Sequence, residues 1–266
     1  MDKLDIIVLA GQSNAAGSGR GEVTHPYVRD ERILMMTDDS NPREEKDGDR
    51  GYLKLDLPAN NFISVAEEPE EKAGNFALAF AAKYAQTFLE PDRKILIIHA
   101  AVGGAGFARP EWGVGNMLHT RMIDMVTEAL SYNPENRVVA FLWHQGEHDS
   151  FENADWDPEK RYTVHKANIN ATLDDFFGHF GLTDVPFIAA GFCDEWYLDN
   201  KVACDAVLKA IRECCAERVG DFVETAGLLS NNQKTGNGDV IHFCKESLHI
   251  LGEKYFDAYA AIRNKQ

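Results

Sequence analysis

Positive charge is scarce in this chain: 27 Lys and Arg stand against 43 Asp and Glu, a formal net charge of −16 over 266 residues. A surface that acidic repels phosphate backbones and anionic headgroups, which argues against nucleic acid or a membrane as the main partner. Long hydrophobic runs are missing as well, and none approaches the roughly 20 apolar residues that span a bilayer. Strand-like sequence begins by Asp5, with no charged start, apolar stretch and cleavage site before it, so the expectation is a cytoplasmic protein. Cysteine is sparse and lacks C-x-x-C spacing. Cys193, Cys204, Cys214, Cys215 and Cys244 are odd in number, which fits reduced thiols better than a disulfide framework. The third glycine of a dinucleotide loop is absent too: "GGAGFAR" has Gly104 and Gly106 but no glycine three residues on, and no G-K-[ST] occurs.

What is present is a set of five short, nearly continuous apolar runs: "DIIVLAG" (5–11), "RILMMT" (32–37), "KILIIHAAVGG" (94–104), "RVVAFLWHQG" (137–146) and "VPFIAAGF" (185–192). Continuous rather than alternating apolarity marks strands covered on both faces. Helical patterns lie between them. Phe76, Phe80, Tyr84 and Phe88 recur every fourth residue, as do Leu118, Met122, Val126 and Leu130. "NKVACDAVLKAIRECCAERV" and "ESLHILGEKYFDAYAAIR" are further helices. Strands alternating with helices predict parallel β-α-β units and a sheet with helices on both faces, in one domain spanning 1–266. Residues 38–72 break the rhythm with charge, proline and glycine, and are expected to form an irregular insertion.

In open α/β sheets, ligands bind outside the carboxyl ends of the strands. Four such ends carry polar or glycine clusters: "GQSN", "GGAGF", "HQGEHD" and "CDEWYLD". Ser13 sits where the first strand gives way to small residues. A serine hydroxyl becomes a useful nucleophile only beside a base that is itself oriented by an acid. "GDVIHFCKESLHILGEKY" offers that pair, because Asp239 and His242 are three residues apart just before a helix. A turn there can fold the carboxylate onto one imidazole nitrogen and leave the other for serine. Gly103 and Gly104 allow close backbone approach, and Gln145 brings a side-chain NH2, so both are candidate donors to a developing oxyanion.

Together "LAGQSNAAGSGRG", "AVGGAGF", "WHQGEHD" and "DVIHFCKESLHILGEKY" resemble the SGNH-hydrolase superfamily. More narrowly, they are similar to its sialate O-acetylesterase-like and acetylxylan-esterase group, carbohydrate esterase family 6. The resemblance implies a three-layer α/β/α sandwich with a mostly parallel five-stranded sheet, flavodoxin-like, that hydrolyses O-acetyl esters on a small sugar or oligosaccharide without a cofactor. By motif it implies Ser13 as nucleophile, His242 as general base and Asp239 as its acid partner. The amides of Ser13 and Gly104 and the side chain of Gln145 would form the oxyanion hole. Glu147 is expected as a second carboxylate on His242. Gln12, Asn14 and Trp196 are expected on the substrate, Trp196 as one of several aromatics (Trp112, Trp143, Trp156, Tyr197) near strand ends.

Two other readings remain open at this point. "HQGEH" matches the H-x-x-E-H zinc-peptidase pattern through His144, Glu147 and His148. That chemistry needs a helix, whereas the match directly follows an apolar run and contains Gly146. A catalytically inactive sugar-binding relative would carry the same cleft. Oligomeric state is not legible.

Overall fold

The computed structural model describes residues 2–38, 43–46, 49–53, 60–68, 74–109 and 111–265. In chain order the elements are β1 (Lys3–Gly11), α1 (Ser13–Ala16), β2 (Ile33–Asp38), β3 (Arg43–Lys46), β4 (Asp49–Leu53), β5 (Asn61–Val65), α2 (Ala77–Thr87), β6 (Arg93–His99), α3 (Met117–Ser131), β7 (Arg137–His144), α4 (Glu147–Phe151), α5 (Pro158–His179), β8 (Phe187–Ala190), α6 (Asp194–Asp199), α7 (Lys201–Ala216), β9 (Gly220–Val223), α8 (Asn231–Thr235) and α9 (Lys245–Arg263).

Seven strands form the main sheet, ordered β5-β2-β6-β1-β7-β8-β9. All neighbours are parallel except the edge pair β2 and β5. β1 is therefore central, with β6 on one side and β7 on the other. Its apolar run is continuous because each face meets a separate core. Ile6 and Val8 pack with α3, α5 and α7 through Met122, Leu173, Phe176 and Val207. Ile7 and Leu9 pack with α2 and α9 through Phe80, Leu248 and Leu251. The α2 aromatics expected on one face meet α9 there, where Phe80 lies edge-on to Phe256 and Tyr259.

The five expected strands are β1, β2, β6, β7 and β8, and the three-layer arrangement stands. The sheet has seven strands rather than five. β9 is a four-residue edge strand too short for a periodic signal. β5 falls inside the segment expected to be irregular, which also contains the hairpin β3–β4; the remainder of 38–72 lies outside the described residues apart from 38, 60 and 66–68. α5, at 22 residues, has no counterpart among the expected helices. No helix among the described residues is long and apolar enough to cross a membrane.

The carboxyl ends of β1, β6, β7 and β8 lie side by side on one edge of the sheet. The turn from β1 into α1 is tight: Gly11 has φ +131°, and a Cβ there would sit 2.1 Å from the carbonyl oxygen of His144. Only glycine fits. The amide of Gln12 then donates to the same carbonyl at 2.8 Å, locking the β1 exit to the β7 exit.

Candidate active site

Ser13 is the first residue of α1 and is 9% exposed. Its Oγ lies 2.8 Å from Nε2 of His242, although 229 residues separate the two in sequence. His242 belongs to the segment between α8 and α9. Asp239 Oδ1 and Oδ2 are each 2.9 Å from Nδ1 of that imidazole. The carboxylate also accepts from the backbone N–H of His242 at 3.3 Å. With Nδ1–H directed to the carboxylate, Nε2 presents its lone pair to the serine hydroxyl.

A residue absent from the sequence reading completes this end of the site. Asn231 Nδ2 donates to Asp239 Oδ2 at 2.9 Å and to the carbonyl of Ser18 at 3.0 Å. Asn231 is the first residue of α8, set by a reciprocal cap in which Ser230 and Gln233 bond each other's backbone. "SNNQ" carries that signature in sequence. Partial burial pushes the Asp239 pKa up, but hydrogen bonds from Asn231 and His242 outweigh it and hold the carboxyl below the usual range. It stays ionised opposite the imidazole.

On the other side of Ser13 runs the loop after β6. Ala105 N–H donates to Val102 O at 3.3 Å, closing a turn around Gly103 and Gly104, and Gly104 has φ +69°. A Cβ added at Gly103 would lie 3.7 Å from Cβ of Ser13, so this turn rests against the serine.

The sequence comparison accounts for this arrangement. A model of the family described as carbohydrate esterase, sialic acid-specific acetylesterase, matches residues 3–261. The chain belongs to this family. Among solved structures it is similar to NanS (18% identity, TM-score 0.76, covering 100% of this chain and 99% of that one). It is also similar to a protein of Arabidopsis thaliana (18% identity, TM-score 0.69, 98% and 99% covered). A third likeness is to a carbohydrate acetylesterase from Xanthomonas citri (13% identity, TM-score 0.62), where 98% of this chain matches 57% of the other. No curated protein matches the sequence. The family hydrolyses O-acetyl esters on carbohydrates, and this chain is a carboxylic ester hydrolase.

Several residues of this esterase stand in other places than expected. Glu147 does not serve as a second carboxylate on His242. It is wholly buried at the start of α4, where Oε1 accepts from Asn14 Nδ2 at 2.7 Å and lies 3.3 Å from His144 Nε2. Asn14 in turn accepts from Phe243 N–H at 3.1 Å and donates to Ile241 O at 3.3 Å. Glu147 is thus linked to His242 only through Asn14, which binds the backbone on both sides of the histidine. Burial raises the Glu147 pKa, but the neighbouring His144 and the Asn14 hydrogen bond bring it below the usual value. Glu147→Ala would remove the buried carboxylate to which Asn14 donates at 2.7 Å and which His144 Nε2 faces at 3.3 Å. The expected cost is roughly 3–5 kcal/mol, read as a fall in melting temperature of roughly 6–20 °C.

Gln12 and Asn14 are also corrected: both are buried, and their side-chain oxygens accept from backbone N–H groups rather than facing a substrate. Gln12 Oε1 accepts from the backbone of His148 at 3.2 Å and Gly146 at 3.4 Å, bracing the β1 and β7 exits. Gln145 is 1% exposed, and its Nε2 is directed at Asp149 Oδ2 (3.1 Å), Ala105 O (3.3 Å) and Gln12 Oε1 (3.4 Å) rather than standing free. Trp112 and Trp143 are core residues, 5.1 Å apart and edge-on. Trp196 is half-buried on α6 and lies edge-on to the exposed ring of Phe151, 5.7 Å away.

The H-x-x-E-H pattern does not lie on one helix. His144 ends β7 and Glu147 begins α4, so the i, i+4 face that such ligands need is not formed. Among the described residues no three His, Cys, Asp or Glu side chains converge as a metal-binding set.

Proposed function

We propose that Ser13, His242 and Asp239 act as the nucleophile, general base and orienting acid of this carbohydrate acetylesterase. The observation that carries the reading is the 2.8 Å contact of Ser13 Oγ with His242 Nε2, with Asp239 on the opposite ring nitrogen at 2.9 Å. As Ser13 Oγ attacks the acetyl carbonyl carbon, its proton passes to Nε2. The carbonyl oxygen takes up negative charge beside the amides of Ser13 and Gly104 and the side-chain NH2 of Gln145. Asp239 stabilises the imidazolium that forms. Collapse breaks the bond to the sugar oxygen, which leaves with the proton from Nε2, and the acetyl group stays on Ser13. Water then attacks the acyl-enzyme, giving its proton to His242, and acetate departs as Ser13 regains a proton.

The substrate is an O-acetylated sugar small enough to approach a site framed by strand ends. The family's description names sialic acid, which makes O-acetylated sialic acid the first substrate to test and acetylated xylo-oligosaccharide the second. Trp196 and Phe151 supply an aromatic edge of the type that stacks on sugar rings. A cytoplasmic location for the enzyme accords with such a substrate being taken up as a small molecule.

Acetate release from a panel of acetylated mono- and oligosaccharides tests the assignment. Turnover is expected on at least one sugar, and kcat/KM should rise with pH along a one-proton limb and then level off, because the base must be neutral imidazole. Asp239 does not supply that limb. Its lowered pKa keeps it ionised throughout. A profile without that limb would reject a neutral-imidazole base.

A further inference from the structure

The best-connected charged group near the site is one the mechanism has not used. Asp149, in α4, is 4% exposed. Its carboxylate accepts four hydrogen bonds: from the amides of Phe107 (3.1 Å) and Ala108 (2.8 Å), from Gln145 Nε2 (3.1 Å) and from His165 Nδ1 (2.9 Å). Those donors come from the loop after β6, the exit of β7 and helix α5. Gly106 makes the approach possible, since a Cβ there would lie 2.4 Å from Asp149 Oδ1. The aspartate is itself fixed, because Arg161 donates to its backbone carbonyl at 2.8 Å.

We propose that Asp149, held by His165, is the positioning residue that aligns the oxyanion donors of the acetylesterase, the Gly104 amide and the Gln145 side chain; this rests on the function proposed above. The loop that carries Gly104 is pinned two and three residues beyond Gly106's neighbour Ala105, at Phe107 and Ala108. That leaves little freedom to the short turn lying against Ser13. Gln145 is oriented by the same carboxylate. One N–H of its NH2 is bound to the charged oxygen, while the other faces only neutral carbonyl oxygens at 3.3 and 3.4 Å. Those are long for N–H···O contacts, and a developing oxyanion, being charged, competes for that hydrogen.

His165 is 2% exposed and lies edge-on to Phe107, 5.3 Å between ring centres. Its Nε2 meets no hydrogen-bond partner among the described residues, so the ring's polar contact is with Asp149. Burial pushes the Asp149 pKa up, but His165 and the two loop amides more than reverse this, and the carboxyl remains ionised. A charged acceptor is what four converging donors require.

Asp149→Asn is nearly isosteric but turns one acceptor oxygen into a donor, which faces N–H groups. On an aryl acetate, kcat is expected to fall about 100-fold, the cost of losing one well-aimed oxyanion donor. KM should stay within about threefold, because the donors are needed for the tetrahedral species. The shape of the pH profile should not change, because His242 is untouched. Inactivation of Ser13 by an aryl phosphonate, whose phosphoryl oxygen needs the same donors, should slow in parallel. A folded Asp149→Asn enzyme with wild-type kcat, or with its whole loss in KM, overturns the inference. Should that variant fail to fold, His165→Phe is judged by the same criterion. It keeps the edge-on contact with Phe107 and removes one donor, and about a tenfold loss of kcat is expected. An active wild type, an inactive Ser13→Ala and an unimpaired Asp149→Asn would sink this inference alone. A wild type without turnover on any acetyl ester would sink the esterase reading and this with it.

Discussion

Ser13→Ala is expected to lower the rate of acetate release by at least about 10⁴-fold. The substitution removes the atom proposed to attack the acetyl carbon, so no acyl-enzyme can form for the histidine and aspartate to resolve. Stability should barely change. Ser13 Oγ has His242 as its partner, and alanine keeps the Cβ against which Gly103 packs. Melting temperature and far-UV circular dichroism should match the wild type. A folded Ser13→Ala enzyme that still turns over would remove the nucleophile from the scheme. Loss of activity through unfolding would be visible in the same melt.

The second large effect concerns the acid. Asp239→Asn is expected to cost roughly 10³–10⁴ in kcat, close to the loss in His242→Ala. An asparagine would offer Nδ1 an amide group that can donate as well as accept. The imidazole would then shift toward the tautomer that carries its hydrogen on Nε2, which cannot take a proton from Ser13. Both carboxylate oxygens lie 2.9 Å from Nδ1 and Asn231 holds the second, so little else in the site can replace them. Glu147 does not compensate, because it is wholly buried and meets the His242 segment only through Asn14, whose side chain binds the backbone of Ile241 and Phe243. If Asp239→Asn retained a tenth or more of wild-type kcat, another acid would have to reach His242. The parallel variant Glu147→Gln should show a smaller kinetic effect, since it keeps the oxygen that Asn14 needs.

The same buried carboxylates set the response to acid. Asp149 and Glu147 both have pKa values below their ordinary ones in the folded protein. A depressed folded pKa adds stability that is full above the unfolded value, near 4, and disappears as pH falls through the folded value.

The sheet was legible where a strand had neighbours on both sides, because burial on both faces writes itself as an unbroken apolar run. It was not legible at the edges. β5, "NFISV", has three exposed residues at its centre, and β9 has four residues in all. α5 escaped notice because it is polar along most of its length, although Asp157 caps it and Pro158 opens it. That omission hid His165. The serine, histidine and aspartate were visible as motifs, since each sits at a strand exit or a turn where local sequence constrains local geometry. Contacts that join distant exits were not. Asn231 on Asp239, Asn14 on Glu147 and Asp149 on the β6 loop each depend on how the chain closes on itself.

Ser13 leaves the central strand β1, and the histidine proposed as its base follows 229 residues later, just ahead of α9. During synthesis the nucleophile is therefore made long before anything can activate it. On the proposed mechanism, a fragment that ends short of residue 242 carries the serine with no imidazole beside it and is expected to be inert toward esters rather than partly active.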